Sequence, residues 1–159
     1  MKEAFLNANP YDVVCFSEHF LRKAEVDSLS INGYNVGSFY ARSVLWHGGV
    51  LILCKHNLSF IEKTDVSSLL VERVCELAAV ELTEFHTVIV TIYRSPISDF
   101  KEFLSVFNTV LIYLSKNSNN RKVIITGDFN VKFFSGERDW FGLKDLLTSF
   151  DFIPTVRGF

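Results

Sequence analysis

Between residues 99 and 117 apolar side chains recur every three or four positions: Phe100, Phe103, Leu104, Phe107, Val110, Leu111 and Leu114. That spacing gathers into one stripe of an α-helix, and Asp99 with Glu102 three residues on has the form of a capping box. ERDWFGLKDLLTSF repeats the pattern, with Trp140, Leu143, Leu147 and Phe150 along one side of a second helix. Elsewhere the helical period disappears. DVVCFSE sets Val13, Val14, Cys15 and Phe16 side by side with no polar partner, which predicts a short, fully buried strand with Glu18 at its exit. KVIIT, at 122–126, predicts another buried strand. HGGVLILCKHNLSFIEK predicts one strong strand and a second behind it, entered through Gly48 and Gly49. The runs 73–82 and 85–93 flank a connection short enough to make them an antiparallel hairpin, so the sheet cannot be purely parallel. Residues 2–8 can form a helical turn or two that Pro10 stops, and in INGYNVGSFYARS turn formers alternate with aromatics.

A length of 159 residues predicts a single domain spanning 1–159, and 48% hydrophobic against 21% charged residues places it among globular chains. The 16 phenylalanines predict a core built around large rings. A net charge of −2 gives no overall attraction to phosphate polymers and leaves room for a local basic groove. Cys15, Cys54 and Cys75 are odd in number, lie inside apolar runs and show no C-x-x-C spacing, so they read as reduced core thiols. No long apolar stretch opens the sequence, and none approaches the ~18 residues a membrane span requires. The expectation is an intracellular chain, nuclear or cytoplasmic, without a membrane partner.

The stretch VIITGDFNV sets an acid and an amide at the end of an apolar run. In α/β folds a buried strand delivers polar residues to the rim where it ends. The glycine permits a sharp exit, and strand alternation would put Asp128 and Asn130 on one side with Phe129 turned into the core. Gly-Asp and Asn are also ordinary turn formers, so the tetrapeptide alone reads equally well as a turn.

Three further stretches decide between these readings. VVCFSEHFL, an HGGV-led strand, IYRSP and ITGDFNV, in that order, resemble the endonuclease/exonuclease/phosphatase superfamily, and most closely the apurinic-type endonuclease domain of non-LTR retrotransposon reverse transcriptase proteins. The resemblance covers most of residues 10–150. It implies an α/β fold of the DNase I-like kind: a partial four-layer α/β/β/α sandwich, with mixed sheets and helices on the outer faces. It further implies a metal-dependent phosphodiesterase in which Glu18 holds Mg²⁺ or Mn²⁺, Asp128 orients or deprotonates the attacking water, and Asn130 holds the phosphate or its nucleophile. Tyr93 would hydrogen-bond the phosphate, and Arg94 would bind it or brace the loop. No small-molecule cofactor is implied, and DNA is the implied partner. His19, Asn35, His47 and Glu76 match no catalytic position, and His19 is expected to face solvent.

The sequence also departs from the family pattern. The initial strand with its asparagine, and the closing strands with an aspartate and a Ser-Asp-His motif, have no counterpart here. His19, His47, His56 and His86 all precede GDFN, on the wrong side to stand in for that histidine. The expectation is thus an incomplete domain whose ancestral Mg²⁺-dependent DNA nicking is impaired and whose metal binding is weak. The alternatives are a non-catalytic remnant that binds nucleic acid or protein, and a phosphatase or exonuclease of the same fold.

Overall fold

The computed structural model describes residues 11–44, 47–118, 120–132 and 138–155. The expected helix at 2–8 lies outside them. Among the described residues seven strands and four helices follow in the order β1 (Val13–Ser17), α1 (Lys23–Asp27), β2 (Tyr34–Tyr40), β3 (Val50–Lys55), β4 (Phe60–Glu62), α2 (Thr64–Ser67), β5 (Glu76–Leu82), β6 (Thr87–Tyr93), α3 (Phe100–Asn117), β7 (Lys122–Asp128) and α4 (Arg138–Ser149). They form a three-stranded sheet ordered β1-β3-β2 and a four-stranded sheet ordered β4-β5-β6-β7. All pairs are antiparallel except β6 with β7, which run parallel with α3 as their crossover.

Side-chain alternation along β5 and β6 builds the layers. Ala78, Val80, Leu82, Ile89 and Tyr93 face Val50, Ile52 and Cys54 of the other sheet, forming the core between the sheets. Leu77, Ala79, Val88, Val90 and Ile92 face outward onto Phe103, Phe107, Val110 and Leu111 of α3 and Leu143 and Leu147 of α4. On the far side Val26 of α1 covers Leu51 and Leu53. The four layers α/β/β/α match the expected DNase I-like arrangement. Central β5 and β6 are buried on both faces and accordingly carry almost no polar alternation.

The helices α3 and α4 sit where their periodicity placed them, and α1 and α2 were not anticipated. Asp99 caps α3, its carboxylate accepting the Glu102 N–H at 2.9 Å. Two strands differ from expectation. β1 was expected to be fully buried and β7 buried, yet β1 is half-buried along its length, and β7 is a mixture of half-buried and exposed positions with Ile124 51% accessible. Both are edge strands, so burial of their apolar side chains is only partial. A further strand, β2, runs through the stretch of turn formers and aromatics. Its register shifts between Val36 and Ser38, and Gly37 lets the sheets close up: a Cβ there would lie 3.0 Å from both Cys54 Sγ and Val80 Cγ1.

The three cysteines are free thiols. Burial pushes the Cys54 thiol up to about 11 and that of Cys75 up to about 12, with smaller contributions from Cys15 and Glu76 respectively. Among the described residues no helix is long and apolar enough to cross a membrane.

Candidate functional site

Strand register gathers the candidate residues at one rim. Tyr93 pairs with Glu76 on one side and with Asp128 on the other, so the three side chains leave the sheet in one direction, toward the opposing sheet. From that sheet Glu18 arrives, just past the end of β1. The Tyr93 hydroxyl donates to Glu18 Oε1 at 2.5 Å, closing the gap between the layers. Burial raises the Tyr93 phenol above the ordinary tyrosine range, reinforced by its bond to the Glu18 carboxylate and by that charge. Tyr93 is therefore a proton donor at neutral pH.

The GDFN turn is locked from several directions. Gly127 has φ +127°, and a Cβ there would sit 1.9 Å from the Ile92 carbonyl oxygen, so no other residue fits. Phe129 turns into the core as expected, 5.8 Å from Phe107 and 6.3 Å from Phe103 between ring centres. Strand alternation, however, does not continue to Asn130, which adopts φ +48°. Its N–H donates to Asp128 Oδ1 at 2.9 Å, an Asx turn that aims the carboxylate, and its side-chain amide donates to the Arg94 carbonyl at 2.6 Å. Asp128 itself is exposed. Turn chemistry and site geometry are thus the same contact.

Arg94 is placed differently from the phosphate-binding expectation. Its side chain folds beneath the turn at 5% exposure, donating from Nη1 to the Asn130 carbonyl at 3.0 Å and from Nη2 to the Ser98 carbonyl at 3.0 Å. The guanidinium also lies over the Phe100 and Phe103 rings, at 5.1 and 5.7 Å. Those bonds make it a brace for the turn, with its fork aimed at backbone carbonyls and away from solvent.

His19 is a second correction, buried at 2% exposure where solvent was expected. Its Nδ1 accepts the Leu21 N–H at 2.9 Å, which leaves Nε2 as the protonated nitrogen donating to the Tyr40 carbonyl at 2.9 Å. Gly49, at φ +82°, makes room for it: a Cβ would lie 2.6 Å from His19 Nε2. The buried ring pins an irregular loop in which Glu18 and Phe20 both take left-handed backbone, φ +53° and +59°. Such conformations cost of order 1 kcal/mol or more each and persist only where surroundings impose them.

Sequence motifs did not assign Glu76 or Arg42 a place. Glu76, fully buried beside Tyr93, accepts from Arg42 Nε at 2.5 Å, Gly49 N–H at 2.8 Å and Arg73 N–H at 2.9 Å. The available signal was a carboxylate embedded in the apolar run VCELAAV, a placement that requires a buried cation. Asn35 and His47 are exposed, the former on β2.

Among the described residues no three His, Cys, Asp or Glu side chains gather into a metal cage. Carboxylate oxygens at a wet rim nevertheless suit a hard ion that keeps most of its water, so Glu18 with Asp128 nearby is chemically apt for Mg²⁺. A cavity of about 710 Å³ beneath α1, lined by Val26, Tyr34, Phe39 and His56 among others, holds none of these residues.

The sequence matches the endonuclease/exonuclease/phosphatase family over residues 3–159. The chain belongs to that family. Members are generally metal-dependent. No curated protein matches the chain in sequence. Among solved structures it is similar to the endonuclease domain of TRAS1, a telomere-specific non-LTR retrotransposon, at TM-score 0.66 and 14% identity, with 93% of this chain and 64% of that one covered. It is also similar to the catalytic domain of Xenopus laevis APE2, at TM-score 0.60 and 17% identity, covering 91% of this chain and 62% of that one. These likenesses establish the fold, and this family member spans a little under two thirds of the length of either domain.

Proposed function

We propose that the chain is the endonuclease-like part of a non-LTR retrotransposon protein, acting on DNA phosphodiesters by metal-assisted hydrolysis. One observation carries this reading: Glu18, Tyr93, Asp128 and Asn130, far apart in sequence, are linked through hydrogen bonds and strand register at a single rim. Glu18 would hold Mg²⁺ or Mn²⁺, which when bound neutralises charge on the phosphate. Asp128, aimed by the Asn130 N–H, takes a proton from the attacking water. Tyr93 commits its single hydroxyl proton to Glu18 and so fixes that carboxylate at the rim. Arg94 holds the turn so that Asp128 stays in line. One phosphorus–oxygen ester bond breaks, one forms to the water oxygen, and the leaving oxygen takes up a proton from solvent.

A supercoiled-plasmid nicking assay with and without Mg²⁺ tests the proposal. The expected result is Mg²⁺-dependent nicking that falls about 100-fold or more in Asp128→Ala. Equal background cleavage in wild type and variant, indifferent to chelation, would sink it. A second reading, a non-catalytic nucleic-acid-binding role, would be supported by that background result together with retained DNA binding. Faster hydrolysis of a phosphomonoester than of DNA would favour a phosphatase of this fold.

A further inference from the structure

Next to Glu18 the loop holds a large ring out in solvent. Phe20 is 49% exposed, and it meets the exposed ring of His47 edge-to-face at 5.4 Å between centres and 75° between planes. Neither ring's position is accidental. The Glu18 N–H donates to the Gly49 carbonyl at 2.8 Å and the Phe20 N–H to the Gly48 carbonyl at 3.4 Å, so backbone pairing brings the two loops together. Buried His19 anchors the segment from below, and the left-handed backbone at Phe20 sends its ring away from the core. The chain then leads directly to Arg22 and Lys23, both exposed, in a protein whose net charge is −2. A flat apolar surface and two cations thus lie within five residues of the proposed metal ligand, with the imidazole of His47 against the ring.

We propose that Phe20 and His47 form a stacking shelf for an unstacked nucleobase of a DNA strand lying across Glu18, with Arg22 and Lys23 meeting the neighbouring phosphates. Every base has an apolar face that an aromatic ring can cover, while the sugar-phosphate backbone requires cations beside it. The shelf rests on the nuclease reading for its location, and it adds to that reading a preference for single-stranded or locally unpaired DNA over a fully stacked duplex.

The test measures binding without cleavage. A fluorescein-labelled 20-nucleotide single strand is titrated with the whole chain in EDTA and followed by anisotropy. Phe20→Ala is expected to weaken binding by about 5- to 100-fold, Phe20→Trp to restore it, and His47→Ala to weaken it less. Val44→Ser, which removes a 75% exposed apolar side chain outside the ring pair, is expected to bind like wild type. The salt dependence should be unchanged in Phe20→Ala and shallower in Arg22→Ala with Lys23→Ala. Unaltered affinity in Phe20→Ala, or no binding by wild type at low salt, would overturn the proposal and point to a protein partner for the exposed rings. Ring-dependent binding without any Mg²⁺-dependent nicking would keep the shelf and defeat the nuclease reading; nicking with ring-independent binding would do the reverse.

Discussion

Glu76 and Glu18 both approach Tyr93, one from the adjacent strand of the same sheet and the other from across the sandwich, and their surroundings differ in kind. Glu76 is fully buried and receives three donors, Arg42 among them, with the partnered guanidinium only 6% exposed. Glu18 is half-buried and accepts one side-chain hydrogen bond, from Tyr93. A carboxylate has about four acceptor positions. An acid whose positions are mostly met from within belongs to the scaffold, while one left with open positions beside water can take a ligand. Proximity to the rim does not distinguish the two; hydrogen-bond saturation does.

The largest expected effect falls on the saturated acid. Glu76→Ala leaves the Arg42 charge buried and alone, which should cost about 3–5 kcal/mol of unfolding free energy in urea denaturation. Replacing both partners by methionine should recover part of that loss, since the charge is no longer stranded while the Gly49 and Arg73 N–H groups still lack their acceptor. Glu18→Gln should behave in the opposite way. Its unfolding free energy should change by less than about 1 kcal/mol, while Mg²⁺-dependent nicking falls about 100-fold, or ~2.7 kcal/mol in activation free energy. Comparable unfolding losses in the two single variants would erase the distinction between scaffold acid and ligand acid.

Tyr93, which touches one acid and neighbours the other, gives a pH signature. Below about pH 10 the phenol holds its proton whether the chain is folded or not. Above it the unfolded chain releases that proton while folded Tyr93, its pKa raised by burial and by Glu18, retains it. Stability therefore falls with rising pH, by up to about 1.4 kcal/mol per unit from this group. Tyr93→Phe should lack that share of the alkaline decline, and chemical denaturation from pH 9 to 11 checks it. The smallest effect concerns the metal. At a Mg²⁺ concentration equal to its dissociation constant, binding adds ~0.4 kcal/mol, a melting-temperature rise of about 1–2 °C. Thermal scans should show that rise in wild type and in Arg42→Met with Glu76→Met, and not in Glu18→Gln.

What could be read from sequence followed the strength of local periodicity. The helix over Phe100–Asn117 and the hairpin of β5 and β6 were legible because their patterns concern residues close together in the chain. β2 was obscured because Gly33 and Gly37 look like loop formers until an opposing sheet is present to explain Gly37. Exposure of β1 and β7 depends on strand order, which no local pattern records. At the site, Asp128 and Asn130 were recognisable through a turn motif whose role emerged only as the Asx contact. His19 was misjudged because its burial arises from pairing between loops 18–20 and 48–49, and the two roles open to Arg94 were not separable because the direction of its side chain depends on the fold of GDFN.

β7 is the last strand of its sheet among the described residues, and its outward amides have no ladder partner there. In native-state hydrogen exchange, β7 should open at lower free energy than β5 and β6, whose neighbours hold them on both sides. Asp128 rides on that strand, and its alignment with Tyr93 is a property of the β6–β7 ladder. A transient detachment of one edge would thus disassemble the geometry of the proposed site while the helices and central strands stay packed. As the protein warms, the proposed nicking activity would fade before the cooperative melt begins, and the life of one edge ladder would set the working temperature.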